Sequence, residues 1–288
     1  MNKVSLVVPY IVENDLQEEI LRRCVTLAKE HSILEGTEIV LIDNGSPRRV
    51  EIDGVRIVRN HKNIGVLPSF PQGHSETKGD IVCFIHSDVL LHEHGWDKKI
   101  ATAFDNNPNL GLAGLFGATK LHPDGNRENC FSNMVGKEYG KCGCHPIVGY
   151  HHGNVSPSLI PVSMFDGVGL FFRTEILEEL MYMTDTFASW RAPHHFYDRI
   201  ISLKVAELGY GMAMIGVEFD HWSGATAGGS KIYEEAALKW LADNKYELMN
   251  EGQIPDQAIY NIAEQQFFNE WKDRLPLSVD GNYNYTWG

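Results

Sequence analysis

Apolar residues come in short bursts over the first hundred positions, each ended by a polar cluster. Val4 to Val8 is a Val-rich run closed by Pro9, the pattern of a strand buried on both faces. From Leu16 to Glu30 the apolar positions Leu16, Ile20, Leu21, Cys24, Leu27 and Ala28 recur at helical spacing. Glu38 to Ile42 reads as a second strand, stopped by the turn-forming Asp43-Asn44-Gly45-Ser46-Pro47. Val55 to Val58 is a third strand, Ser69 to Lys78 a helix in spite of Pro71 and Gly73, and Ile81 to Ile85 a fourth strand. Strand and helix alternating on this scale predict an α/β fold, with a mostly parallel central sheet flanked by helices.

The pattern loosens afterwards. Residues 115–165 are rich in Gly, His, Asn and Pro with little periodicity, as expected of a functional or mobile stretch. Phe165 to Arg173 restores an apolar strand, and Thr174 caps a helix that starts near Glu175. Ile200 to Leu208 is a helix stopped by Gly209, and Met212 to Phe219 is a last strand leading into Asp220-His221-Trp222. Ser223 to Ser230 has the composition of a hinge. Lys231 to Asn250 and Ile259 to Arg274 read as amphipathic helices, a helical extension suited to dimerising or to covering a site.

In parallel sheets, ligands bind beyond the carboxyl ends of the strands. Pro9-Tyr10, Asp43-Asn44 and His86-Ser87-Asp88 each directly follow an apolar strand, so all three stand where chemistry is expected. A formal net charge of −13 disfavours non-specific attraction to nucleic acid or anionic lipid. It also means that a bound diphosphate needs a cation or well-placed amides. No apolar run approaches the roughly 18–20 residues of a membrane-crossing helix. The opening residues read as a buried strand rather than a signal peptide, which gives a cytoplasmic expectation. Of the five cysteines, Cys24 and Cys83 sit in core-like segments. Cys130, Cys142, Cys144 and His145, near His151 and His152, are either zinc ligands or reduced thiols in a surface loop; their spacing lacks the paired C-x-x-C of a strong zinc signal.

One spacing is more specific. Asn63-x-Gly65-x-x-x-Ser69-x-Pro71-x-Gly73-x-x-x-Thr77-x-Gly79-Asp80 is followed by an apolar strand and His86-Ser87-Asp88. It resembles the family 2 glycosyltransferases of the GT-A fold, whose pattern is Asn-x-Gly-x-x-x-Ala-x-Asn-x-Gly-x-x-x-Ala-x-Gly-Asp, an apolar strand, then Asp-x-Asp. Val-Ser-Leu-Val-Val-Pro-Tyr and Glu-Ile-Val-Leu-Ile-Asp-Asn-Gly-Ser resemble that family's first two strand ends. The likeness spans roughly residues 3–225 and is strongest over the first ninety. Departures are His86 for the first acid of Asp-x-Asp, Pro71 for Asn, and Ser69 and Thr77 for Ala.

The resemblance implies an enzyme that moves a sugar from a nucleoside diphosphate, with UDP the leading donor, to an acceptor hydroxyl by inversion. It implies a donor pocket of Pro9, Tyr10, Glu13 and Asp43, with Asn63, Gly65 and Ser87 in the donor-binding motifs. Asp88 is implied to hold a divalent cation, Mn²⁺ or Mg²⁺, on the diphosphate; such ions suit carboxylate and phosphate oxygens. His221 matches a metal-binding His of some relatives, and His86 is a ligand or its outer neighbour. Asp198 takes the place of the base that removes the acceptor proton, with Tyr197 where the family usually has Glu. Asp166 is a candidate hydrogen-bond partner of the donor sugar, and Trp190, Trp222 and Tyr150 are stacking surfaces or core.

Residues 1–110 are thereby expected to bind the donor, 111–225 to form the acceptor and catalytic half, and 226–288 to be the helical extension. The acceptor is unspecified: glycan, lipid-linked sugar, protein, small molecule or modified nucleobase. A retaining outcome and a non-catalytic nucleotide-sugar-binding scaffold stay open. A nucleotidyltransferase is less favoured, because Pro9 to Glu13 lacks a Gly-rich basic loop.

Overall fold

The computed structural model describes residues 2–123, 125–135, 159–182, 195–222, 231–246, 255–275 and 277–279. Cys142, Cys144, His145, Tyr150, His151, His152, Trp190 and the Ser223 to Ser230 stretch lie outside them. The first half runs β1 (Val4–Tyr10), α1 (Asp15–His31), β2 (Glu38–Asp43), β3 (Arg56–Arg59), α2 (Ser69–Ser75), β4 (Ile81–Ile85), β5 (Val89–Leu91), α3 (Trp96–Asn106), β6 (Leu110–Gly114), β7 (Phe116–Leu121) and β8 (Arg127–Ser132). After it come β9 (Ile160–Pro161), β10 (Met164–Phe165), β11 (Gly169–Arg173), α4 (Thr174–Tyr182), α5 (Tyr197–Glu207), β12 (Gly211–Met214), β13 (Phe219–His221), α6 (Lys231–Asp243), α7 (Pro255–Trp271) and β14 (Leu277–Ser278).

Among the described residues the main sheet has the order β3-β2-β1-β4-β11-β6-β12-β9. β1 pairs parallel with β2 on one side and β4 on the other. The chain therefore steps outward from β1 to β3 and returns to the far side of β1, leaving a crevice at the carboxyl ends of β1 and β4. Pro9 lacks an N–H, but β4 pairs only with Val4 to Val7, so no ladder bond to β4 is lost. β11 enters antiparallel between β4 and β6, while β6 and β12 are again parallel. The sheet is thus mixed and mostly parallel.

Alternation along β1 builds two cores. Val4, Leu6 and Val8 pack with Ile20 of α1 and Trp96 and Phe104 of α3. Val7 faces the opposite layer, with Phe70 of α2, Ile200 of α5 and Phe267 of α7. The C-terminal helices are therefore part of the sheet's cover: Ile259, Ala263 and Phe267 are fully buried. Much of their apolar surface is used in the core, while Leu238 remains exposed.

Several sequence expectations need correction. Leu16 is exposed and Gln17 takes the buried position, because its side chain accepts from the Glu13 N–H while Asn14 accepts from the Gln17 N–H. The strand expected at Val55 to Val58 lies one residue later, and the helix expected to reach Lys78 stops at Ser75. β7 and β8 pair antiparallel where the composition indicated irregular chain. The strand expected over Phe165 to Arg173 is broken by a turn at Asp166-Gly167-Val168, and Met212 to Phe219 divides into β12 and β13. No described helix is long and apolar enough to cross a membrane.

One polar anchor went unseen in the sequence. Asp97, fully buried in the first turn of α3, accepts from the backbone of Ile33 and Leu34 and from the hydroxyls of Ser32 and Thr37. Burial opposes its ionisation, but these donors outweigh burial and hold the carboxyl below its usual range. Asp97→Ala leaves four donors without their acceptor and is expected to cost about 2–4 kcal/mol. Urea unfolding at neutral pH checks this; a loss under about 0.5 kcal/mol would mean that the loop before β2 is held by other contacts.

Candidate active site

The polar ends of five elements converge at the crevice. β4 runs into His86, Ser87 and Asp88; β13 ends at His221; the turn between β10 and β11 carries Asp166; α5 opens with Tyr197 and Asp198. β5 and β13 pair antiparallel with Val89 opposite His221, which sets His221 next to Asp88. The Trp222 N–H donates to the Asp88 carbonyl at 3.0 Å, locking that register. Behind it, the buried side chains of His92 and Asp220 bond at 3.0 Å and tie the two strands together.

His221 Nε2 lies 3.3 Å from Asp88 Oδ1, and one ligand atom from each of His86, Asp88 and His221 falls within 4.8 Å of the others. Burial opposes ionisation of Asp88, yet the charge and hydrogen bond of His221, with His86 behind them, hold it below its usual range. Burial likewise opposes charging His221, and Asp88 reverses this, raising its pKa. His86 is lowered, by burial first and by repulsion from His221 second. Two nitrogens and a carboxylate at this spacing fit a single divalent ion with bonds of about 2.0–2.3 Å.

The second cluster sits against the first. Arg127 of β8 donates to Asp166 Oδ2 at 2.5 Å, and the Val168 N–H closes the turn onto Asp166 Oδ1 at 3.2 Å. The Gly167 N–H donates to Asp198 Oδ2 at 3.2 Å, and the Arg199 N–H to Asp198 Oδ1 at 2.8 Å. Burial alone would raise Asp166, and Arg127 more than offsets it, so Asp166 lies low. Asp198 is raised: burial dominates, Arg199 opposes it, and the Asp166 charge adds to it. The two acids are thus shifted in opposite directions, Asp166 down and Asp198 up. Tyr197 links the clusters, its hydroxyl 3.3 Å from His86 Nε2.

At the ends of β1 and β2, Asp43 is buried, with Arg59 donating to Oδ2 at 2.6 Å and the Ser46 N–H to Oδ1 at 2.8 Å. Tyr10 lies beside it, and burial first, then the Asp43 charge, push the phenol well above its usual range. Glu13 Oε1 accepts from the Ile232 N–H at the start of α6, while Glu13 Oε2 is buried without a hydrogen-bond partner among the described residues. Asn63 is a loop builder: its Oδ1 accepts from Asn44 and from the Gly65 N–H. Gly45, at φ +86, has no substitute, since a Cβ there would lie 2.6 Å from the Lys62 backbone. Trp222 is buried and belongs to the core. Cys130 is half-buried in β8.

The chain matches the pattern of a glycosyltransferase like family over residues 37–241. It belongs to that family. No curated protein matches it. Among solved structures it is similar to GalNAc-T7 with UDP, GalNAc and Mn²⁺, at TM-score 0.56 and 12% identity, over 94% of this chain and 56% of that one. It is also similar to the mannosyltransferase PcManGT from Pyrobaculum calidifontis in complex with GDP-Man and Mn²⁺ (TM-score 0.47, 16% identity, 94% of this chain and 72% of that one). A third is S. aureus TarS 1-349 in complex with UDP-GlcNAc (TM-score 0.47, 12% identity, 93% and 73%). The chain therefore spans little more than half of the GalNAc-T7 chain, and the likeness establishes the GT-A fold.

Two residues at the candidate site of this glycosyltransferase-family chain escaped the sequence reading: Arg59 and Arg127. Arg59 was within reach, because pairing β2 with β3 in parallel register sets it opposite Asp43. Arg127 carries no such signal, lying 39 residues from Asp166 in a segment without periodicity. Arg59→Met leaves the buried Asp43 carboxylate without its cation and is expected to cost about 1–3 kcal/mol. In an Asp43→Asn background the same change should cost far less. Equal losses in both backgrounds, by denaturant unfolding, would show that the pair is not coupled.

Proposed function

We propose that this chain transfers a sugar from a UDP-linked donor to an acceptor hydroxyl with inversion at the anomeric carbon. The observation that carries the reading is the meeting, at the β1/β4 crevice, of the His86, Asp88 and His221 cluster with Asp198. GalNAc-T7 holds UDP and Mn²⁺ on the same fold, which supports Mn²⁺ as the ion and UDP as the nucleotide. His86, Asp88 and His221 would hold the cation; when bound, it offsets negative charge on the departing diphosphate.

The chain's own residues do the remainder. Pro9, Tyr10, Glu13 and Asp43 take the nucleoside, with the Asn63 to Gly65 loop and Ser87 beside the diphosphate. Asp166, held ionised by Arg127, accepts from sugar hydroxyls. Asp198 takes the proton of the acceptor hydroxyl as that oxygen bonds to the anomeric carbon. The bond from that carbon to the diphosphate oxygen breaks, and the nucleoside diphosphate leaves with the electron pair. Residues 1–110 serve the donor and 111–225 the acceptor and the catalytic groups within one shared sheet, with Asp166 and His221 of the second half reaching the donor. A cytoplasmic setting is compatible with the free thiols of Cys24, Cys83 and Cys130.

Two measurements test this. Calorimetric titration with UDP should show binding that strengthens with Mn²⁺ and loses that dependence in Asp88→Ala. Metal-independent binding of UDP would remove the cation from the reading, and absence of binding would direct the search to GDP, CDP and dTDP. Asp198→Asn should lower kcat for sugar transfer by about 10²–10⁴ while donor KM stays within about threefold. A base works in its ionised form, and the Asp198 pKa is raised, so activity should fall as pH drops through a point above the ordinary aspartate range. An acid limb unchanged in Asp198→Asn would assign the base elsewhere.

A further inference from the structure

Two positions at which this chain departs from its family's pattern touch each other. His86 stands where the pattern has the first acid of Asp-x-Asp, and Tyr197 stands where it usually has Glu. They are 111 residues apart in sequence, yet the Tyr197 hydroxyl lies 3.3 Å from His86 Nε2. Tyr197 is itself fixed. Its ring packs 6.1 Å from that of Phe70, and its hydroxyl lies so close over Gly167 that a Cβ there would overlap it. The residue after it is Asp198, whose carboxylate the Gly167 N–H holds.

We propose that Tyr197 is the positioning partner of His86: the imidazole Nε2–H donates to the phenol oxygen, leaving Nδ1 as the lone-pair nitrogen for the divalent cation. The inference rests on the cation-site reading above and adds to it a residue outside the ligand set. A metal-binding imidazole holds its tautomer and ring angle through the hydrogen bond made by its other nitrogen, and such outer partners set affinity. The exchange is coupled for an electrostatic reason. Asp88 and Asp198, both buried, and the partly buried Asp166 already place three carboxylates here, against His221, Arg127 and Arg199. Acids at positions 86 and 197 would add two further charges, whereas a His and Tyr hydrogen-bonded to each other fill the space with a satisfied neutral pair.

The test is Mn²⁺ binding to the full chain without donor, read by calorimetry and by the Mn²⁺ electron paramagnetic resonance signal. Tyr197→Phe keeps the ring against Phe70 and removes only the hydroxyl, so the melting temperature should hold while Mn²⁺ binding weakens about tenfold or more. In a His86→Ala background, already weakened, Tyr197→Phe should change nothing further. Long-range ¹H–¹⁵N spectra should find the His86 proton on Nε2 in the native chain. Native Mn²⁺ affinity in Tyr197→Phe, an equal loss with and without His86, or a proton on Nδ1 would each overturn the proposal. Asp88→Ala separates the two readings: if it abolishes Mn²⁺ binding while Tyr197→Phe does not weaken it, the cation site stands and this role of Tyr197 falls. Failure of the native chain to bind Mn²⁺ would overturn both.

Discussion

The parallel pairing of Val4 to Val7 with Ile81 to Phe84, buried on both faces, decides where every polar group of this chain ends up. With β2 and β3 laid down on one side of β1 and β4 on the other, the direction in which strands are added reverses between β1 and β4. A gap must open between their carboxyl ends. Tyr10 and Asp43 line one side of that gap and His86 to Asp88 the other. The antiparallel entry of β11 beside β4 then delivers the Asp166 turn to the same end, because a strand running the opposite way begins where its neighbour finishes. That reversal lets residues from the second half of the chain complete a site begun in the first.

Charge is handled there by pairing at short range rather than by exposure. The chain is strongly acidic overall, and its site holds several carboxylates out of water. Each has a cation or a set of N–H donors beside it: Asp43 with Arg59, Asp88 with His221, Asp166 with Arg127, Asp198 with the Gly167 and Arg199 amides. An isolated buried carboxylate would neutralise itself by taking up a proton. The donors decide which acids do so. Asp166, with a guanidinium at 2.5 Å, is held below the usual carboxylate range, whereas Asp198 has only amide donors close by and Arg199 at 3.6 Å, so burial shifts it upward. The opposite shifts of the two acids follow from that difference in partner distance.

How much of this the sequence could show depended on whether the cause was local. The first four strands, α1 and the strand-end clusters were legible, since apolar runs and turn residues follow one another directly along the chain. The break of Phe165 to Arg173 into two strands was hidden because Val168 continues the apolar run across the turn. The β7/β8 pair was hidden for the opposite reason: its strand residues are half polar, as suits partly exposed strands. Asp97 looked like an ordinary helix-start acid, and only the fold brings the Ser32 to Thr37 loop onto it. Arg127 required a long-range contact that no spacing encodes. The candidate residues carried by motif, Asp88, His221 and Asp198, could be named from the sequence; the partners supplied by tertiary packing could not.

The departures from the family pattern take on a different meaning once they are placed in space. Read singly, His86 removes a carboxylate from a metal motif and looks like decay, and Tyr197 removes one beside the base and looks like drift. Together they form one hydrogen-bonded unit beneath Gly167, and each limits the other. A carboxylate at 86 beside Tyr197 would add a further negative charge to a buried site. A Glu at 197 beside His86 would set a charge against the acid pair that Gly167 already joins. Gly167 completes the constraint, because only a residue without a Cβ admits the phenol oxygen to that place while its N–H still reaches Asp198. The three residues are thus fitted to one another by contact: the phenol oxygen occupies the space a Cβ at 167 would need, and it stands within hydrogen-bond reach of the imidazole at 86.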